Sequence, residues 1–209
     1  MRTLILKLCG DEYDKAKIKK CAEIIRSGGL VAFPTETVYG VGTNALDDAA
    51  CAGIFAAKNR PAEKALLCHL YSVHQAEEIA YLTDDMRKLI KAFTPGPLTV
   101  IAPKKEIIGK IVSAGGSTVG LRFPSNAAAI ELMRESGVPI AATSANISSF
   151  PAPTSAEQVK EYLNGRIDAI LDCGETGSGV ASTIVTLDGG IRILREGAVT
   201  EREIREVLL

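Results

Sequence analysis

Hydrophobic and polar positions along the chain follow two rhythms that trade places. Residues 3–8 alternate with the period of a strand, and residues 14–27 put Ile18, Cys21, Ala22 and Ile25 on one helical face before Gly28-Gly29 stops the run. A short apolar strand is predicted over 30–34. A helix over 47–59 carries acids in its first turn and Lys58 in its last, as the helix dipole favours. A strand over 65–71 and a well-capped helix over 83–94 come next, the latter ending before Pro95-Gly96-Pro97. Strands are predicted over 98–103, 118–123, 139–142 and 168–172, and helices over 125–136 and 155–164. Residues 182–187 and 191–195 flank Asp188-Gly189-Gly190, a hairpin signal, and 200–208 forms a short amphipathic helix. Strands alternate with helices, and antiparallel pieces are mixed in. The expected fold is therefore α/β: a single domain over 1–209 with a twisted mixed parallel/antiparallel sheet and flanking helices.

Composition narrows the function classes. The chain has 209 residues and is 46% hydrophobic, enough to bury a substantial core. Lys plus Arg number 24 against 25 Asp plus Glu, which excludes a uniformly basic nucleic-acid binder. The local excess over 58–122 is modest and reads first as a mixed solvated surface. The apolar run at Met1–Leu8 is too short for a signal peptide, and no stretch approaches a membrane span. Five cysteines without a C-x-x-C pair suggest neither a disulfide scaffold nor a thiolate zinc site. Four of them sit among apolar neighbours, and a reducing cytoplasm is the expected compartment.

Several short runs carry candidate chemistry. Gly40-Val41-Gly42-Thr43-Asn44-Ala45 fits the loose dinucleotide-binding pattern but lacks its strand–turn–helix context. It is read as a glycine turn that lets backbone approach a ligand. The Gly-rich run 174–179 has no lysine, so a P-loop is excluded. Pro34-Thr35-Glu36-Thr37-Val38-Tyr39-Gly40 leaves a strand end with two hydroxyls, a carboxylate and a phenol, where α/β sheets bind ligands. The alternative is a capped turn with surface threonines. Lys58-Asn59-Arg60 in an extended segment would throw both cations to one side as phosphate partners, or else simply charge a helix end. Lys64 adds a third cation. Ser144-Ala145-Asn146 follows an apolar strand and is either a phosphate and ribose contact or an ordinary turn. His69 lies inside a strand, more a core residue than a catalyst on its own. Arg122, at an apolar strand end, requires an anion, either structural or substrate. No metal cluster and no covalent nucleophile are read.

Taken in order, Phe33-Pro34-Thr35-Glu36-Thr37-Val38-Tyr39-Gly40, Lys58-Asn59-Arg60-Pro61, Phe93-Thr94-Pro95-Gly96-Pro97-Leu98-Thr99, Gly120-Leu121-Arg122-Phe123-Pro124, Ser144-Ala145-Asn146-Ile147-Ser148, Ser182-Thr183-Ile184-Val185 and Leu194-Arg195-Glu196-Gly197 resemble the YrdC-domain family, the threonylcarbamoyl-AMP synthases. The resemblance is to the short, single-domain form. It implies a mixed sheet around a concave basic cavity. It also implies a reaction that joins L-threonine, bicarbonate and ATP into threonylcarbamoyladenylate, with Mg2+ held mainly through the ATP phosphates. Partner proteins would then pass the group to the adenosine beside a tRNA anticodon. The resemblance places Lys58, Arg60, Ser144 and Asn146 around the phosphates, with Lys64, Thr118 and Arg195 on the ATP side. Thr37, His69, Arg122 and Ser182 fall on the threonine side. The chain departs from the family pattern at Ala65, Ser125-Asn126, Ser149-Phe150-Pro151-Ala152 and Ala181. A structured-RNA binding module and a related carbamoyl-nucleotide enzyme are the alternative readings.

Overall fold

Six helices begin where a side chain can satisfy their first free amides. In the computed structural model, which describes residues 2–10, 14–177 and 180–209, Asp47, Ser72, Thr83, Asn126 and Ser155 each accept a backbone N–H three residues on. Thr200 and Glu203 form a reciprocal capping box. The helices so opened are α2 (Asp48–Lys58), α3 (Val73–Ile79), α4 (Asp84–Phe93), α5 (Ala127–Ser136), α6 (Ala156–Leu163) and α7 (Glu201–Leu208), preceded in the chain by α1 (Asp14–Arg26).

The strands are β1 (Leu4–Lys7), β2 (Val31–Pro34), β3 (Tyr39–Asn44), β4 (Leu67–His69), β5 (Leu98–Pro103), β6 (Thr118–Arg122), β7 (Ile140–Ser144), β8 (Ala169–Asp172), β9 (Thr183–Thr186) and β10 (Arg192–Arg195). They form one sheet in the order β1-β8-β2-β3-β7-β4-β6-β5-β9-β10. The pairs β1–β8, β2–β8, β4–β6 and β5–β9 are parallel, and the remaining pairs are antiparallel. The mixed sheet is the one expected.

Strand β3 corrects the reading of 40–45 as a turn. It lies between β2 and β7, with Gly40 paired to Ser144 and Gly42 to Ala142. Gly42 is needed for packing: a Cβ there would come within 2.6 Å of Ile140 Cγ2 and 3.0 Å of Ala141 O. The cysteine reading also changes. Cys21, Cys51 and Cys68 are buried, whereas Cys9 is exposed and Cys173 half-buried. Of the Gly-rich run 174–179, residues 178 and 179 lie outside the described residues.

The two faces of the sheet are covered unequally. Side chains alternate along each strand, so cross-strand partners share a face. Val41, Ala141, Cys68, Leu121, Val100 and Val185 are aligned on one face and pack with buried side chains of α2, α3, α4, α6 and α7. On the other face, α1 and α5 cover Val31, Phe33, Ile140 and Ala142. They leave the strip over β4, β6, β9 and the end of β7 without a helix from this second cluster.

Candidate active site

That strip is the floor of a cavity of about 360 Å³. The register shows why residues far apart in sequence meet there. Gly40 pairs with Ser144, Leu67 with Ala142, His69 with Arg122, Arg122 with Thr99, and Thr99 with Ile184. The row His69–Arg122–Thr99–Ile184 thus carries an imidazole, a guanidinium and a hydroxyl, and Leu67, Ala142 and Ser144 continue the same sheet face beside it. Arg60, Ser182 and Arg195 complete the wall, so three arginines line a single hollow.

The loop between β2 and β3 enters from one side. Its threonines are not surface residues: Thr35 and Thr37 are both 3% exposed. Thr35 Oγ1 donates to Val38 O (2.7 Å), accepts the amides of Thr37 and Val38, and lies 2.8 Å from Thr37 Oγ1. This hydroxyl-built turn holds Glu36 against Arg122, with Arg122 Nη2 2.6 Å from Glu36 Oε1. The second Glu36 oxygen accepts the Ser125 amide at 3.1 Å. Arg122 Nη2 also donates to Thr37 Oγ1 (3.3 Å). The anion that Arg122 requires is therefore in part structural. Its Nε is nevertheless buried without a hydrogen-bond partner among the described residues, and so is Nδ1 of neighbouring His69. Burial lowers the Arg122 pKa, and Glu36 opposes that shift. Burial first, and then the Arg122 charge, pull His69 down to about 3, so its imidazole is neutral at physiological pH.

On the opposite wall, Arg195 Nε and Nη2 donate to Ser182 O at 3.0 and 2.8 Å, and Nη2 also reaches Ser182 Oγ. Ser182 Oγ lies 2.9 Å from Thr99 Oγ1, which fixes the hydroxyl between two strands. Burial, and then the like charge of Arg122, lower the Arg195 pKa. Arg60 is half-buried and clasps its own loop, donating from Nε to Lys64 O (3.1 Å) and from Nη2 to Ala65 O (2.8 Å). Nη1 is the remaining edge of that fork.

Lys58 and Arg60 do not point the same way. The segment is not extended: Lys58 is the last residue of α2, and Asn59 caps it in the left-handed region at φ 50°. The chain turns there, and the two cations diverge. Arg60 reaches the cavity, whereas Lys58, 1% exposed, donates its ammonium to the carbonyls of Ser144 and Asn146. Burial, and secondarily the charge of Arg60, pull Lys58 down to about 7. Asn146 turns its amide inward, donating to Ile147 O (2.9 Å) and Phe150 O (2.7 Å). Of the proposed site residues, the structure thus brings Thr37, Arg60, His69, Arg122, Ser144, Ser182 and Arg195 to the cavity. Lys58 and Asn146 stand behind it. Lys64 is exposed and offers the cavity wall only its carbonyl bond to Arg60. Thr118 starts β6 opposite Pro103, four residues from Arg122 along an extended strand, and does not reach the cavity.

Sequence reasoning missed the apolar part of the lining. Leu67, Ala142 and Ile184 each lie two residues from His69, Ser144 and Ser182. The period of a strand was the available signal. Three of the departures from the family pattern, Ala65, Ala152 and Ala181, also line the cavity.

A mixed α/β sheet carrying three arginines and several fixed hydroxyls around one concavity has the chemistry that suits anionic ligands. The Sua5/YciO/YrdC family model, described as telomere recombination, matches residues 23–197, and the chain belongs to this family. The threonylcarbamoyl-AMP synthase of Pyrococcus abyssi is 44% identical over 200 residues, which are 95% of this chain and 59% of that protein. A putative threonylcarbamoyl-AMP synthase of Mycobacterium tuberculosis strain H37Rv is 38% identical over 203 residues, 96% of this chain and 93% of that one. The crystal structure of P. abyssi Sua5 complexed with L-threonine superposes with a TM-score of 0.93 at 42% identity, covering 100% of this chain and 61% of that one. The chain thus spans about 60% of the length of this Pyrococcus relative.

Proposed function

We propose that this chain is a threonylcarbamoyl-AMP synthase, joining L-threonine, bicarbonate and ATP into L-threonylcarbamoyladenylate with release of pyrophosphate and water. The observation that carries the reading is the gathering of Thr37, His69, Arg122 and Ser182 with Arg60, Ser144 and Arg195 around one hollow. The unpartnered Arg122 Nε–H and the neutral His69 imidazole suit the carboxylate end of an amino acid. Thr37 and Ser182 supply hydroxyls beside it. Arg60, Arg195 and the Ser144 hydroxyl suit phosphates. The reaction needs the threonine amine to add to bicarbonate, forming a carbamate with loss of water. A carbamate oxygen then bonds to the α-phosphorus as the bond to pyrophosphate breaks. Fixed cations on the developing negative charge, and alignment of two anionic reactants, are what such a site contributes.

Magnesium would arrive as the counter-ion of ATP and neutralise its phosphates. Among the described residues no cluster of three His, Cys, Asp or Glu offers it a cage, so phosphate oxygens would hold it. The adenylate would be a reactive acyl donor, and the family resemblance makes tRNA and tRNA-modification proteins the proposed downstream partners. A cytoplasmic location is proposed on the free thiols of the five cysteines. The test is incubation with ATP, bicarbonate and radiolabelled threonine. Pyrophosphate and a labelled adenylate should form only when all three are present. Folded protein that forms neither with all three present would overturn the reading.

A further inference from the structure

Two buried polar side chains serve neither the cavity wall nor the hydrophobic core. The Lys58 ammonium joins the end of α2 to the carbonyls of Ser144 and Asn146, 86 and 88 residues further along the chain. The link is returned through the backbone, where the Ser148 amide donates to Lys58 O at 2.9 Å. From within the same loop, Asn146 Nδ2 bonds Ile147 O and Phe150 O. The turn so held contains Ser149 at φ 75°, a conformation that L side chains avoid and that surrounding bonds must impose. One end of this loop is Ser144 and the other leads to Ala152, both at the cavity.

We infer that Lys58 and Asn146 are positioning residues, which set the 144–150 loop and thereby aim the Ser144 hydroxyl at the ligand without touching it themselves. The inference rests on the proposed synthase reading for its kinetic consequence, and its structural consequence stands apart from that reading. A lysine that bound phosphate would need its ammonium in the cavity. Here the ammonium is 1% exposed and faces two carbonyl oxygens. An asparagine that bound phosphate or ribose would turn its amide outward. This one spends both N–H bonds on its own loop.

The experiment combines a mutant cycle with hydrogen exchange. Lys58→Met should lower kcat on the order of 100-fold, as misplacement of a reacting group by about 1 Å does. In a Ser144→Ala background the same change should cost less than about threefold, because both act through one hydroxyl. Effects that multiply to within about twofold would mean that Lys58 and Ser144 contact the ligand independently, and would overturn the inference. In the ligand-free protein, Lys58→Met should speed exchange of the Ser148 and Phe150 amides at least about tenfold while the amides of β7 stay protected. Unchanged exchange in that loop would also overturn it. If Lys58→Met does not fold, Asn146→Ala cuts the other tether and should give the same signature. A wild-type protein without synthase activity would end the functional reading, and the exchange measurement would still decide this one.

Discussion

Arg122→Lys separates the two duties of the guanidinium. The arginine is 4% exposed and fixed at the end of β6 between His69 of β4 and Thr99 of β5. Its Nη2 holds Glu36 and Thr37, and its Nε is buried without a partner among the described residues. A lysine at this position keeps a positive charge for Glu36, so the carboxylate is not left unpaired and the fold survives. A single ammonium on a flexible stem cannot also occupy the Nε direction. What is lost is one charge-assisted hydrogen bond to the substrate carboxylate, about 1.5–3 kcal/mol. At about 1.4 kcal/mol per decade, that is roughly a 10- to 150-fold rise in the dissociation constant of L-threonine. Separate calorimetric titrations with L-threonine and with ATP measure it, and a urea midpoint checks the fold. If ATP weakens more than threonine, the two substrates are exchanged in the cavity. If threonine weakens less than about threefold, Nε is not its anchor.

Two further outcomes follow from the same geometry. Gly42→Ala should cost about 1–3 kcal/mol in urea unfolding because its Cβ meets Ile140 Cγ2 at 2.6 Å in the middle of the sheet. Gly40→Ala, whose Cβ meets nothing nearer than 3.5 Å but faces the cavity, should leave the urea midpoint in place and weaken ligand binding; equal effects at both positions would refute the division between packing and lining. His69 should show no imidazole titration by NMR between about pH 5 and 8. Its folded pKa of about 3 lies below the ordinary imidazole value of 6.5, so the unfolded chain takes up the proton first and stability should fall as pH drops from 6.5 towards 3. A His69 signal titrating near 6.5 in the folded protein would refute this.

Helices and most strands were legible because their causes are local. Apolar spacing marks a face within about ten residues, and Thr83, Gly137 or the Asp188-Gly189-Gly190 turn marks an end with its own side chain or backbone. The polar runs at strand ends were legible for the same reason, and the resemblance ordered them into one site. Strand β3 was not. Its two glycines read as a turn, and what makes Tyr39–Asn44 a strand is pairing on both edges, with β2 just before it and with β7 about a hundred residues away. The direction of Lys58 was equally out of reach. In sequence it stands two residues from Arg60 and looks like its twin. Only the left-handed Asn59 cap, and two carbonyls supplied by a distant loop, turn one cation inward while the other faces the cavity. The sequence by itself determined which chemical groups are present and which local elements carry them. The tertiary structure decided which of those groups face the ligand and which hold the wall in place. Side-chain direction depends on partners brought together by sheet register, and register is a property of the whole fold.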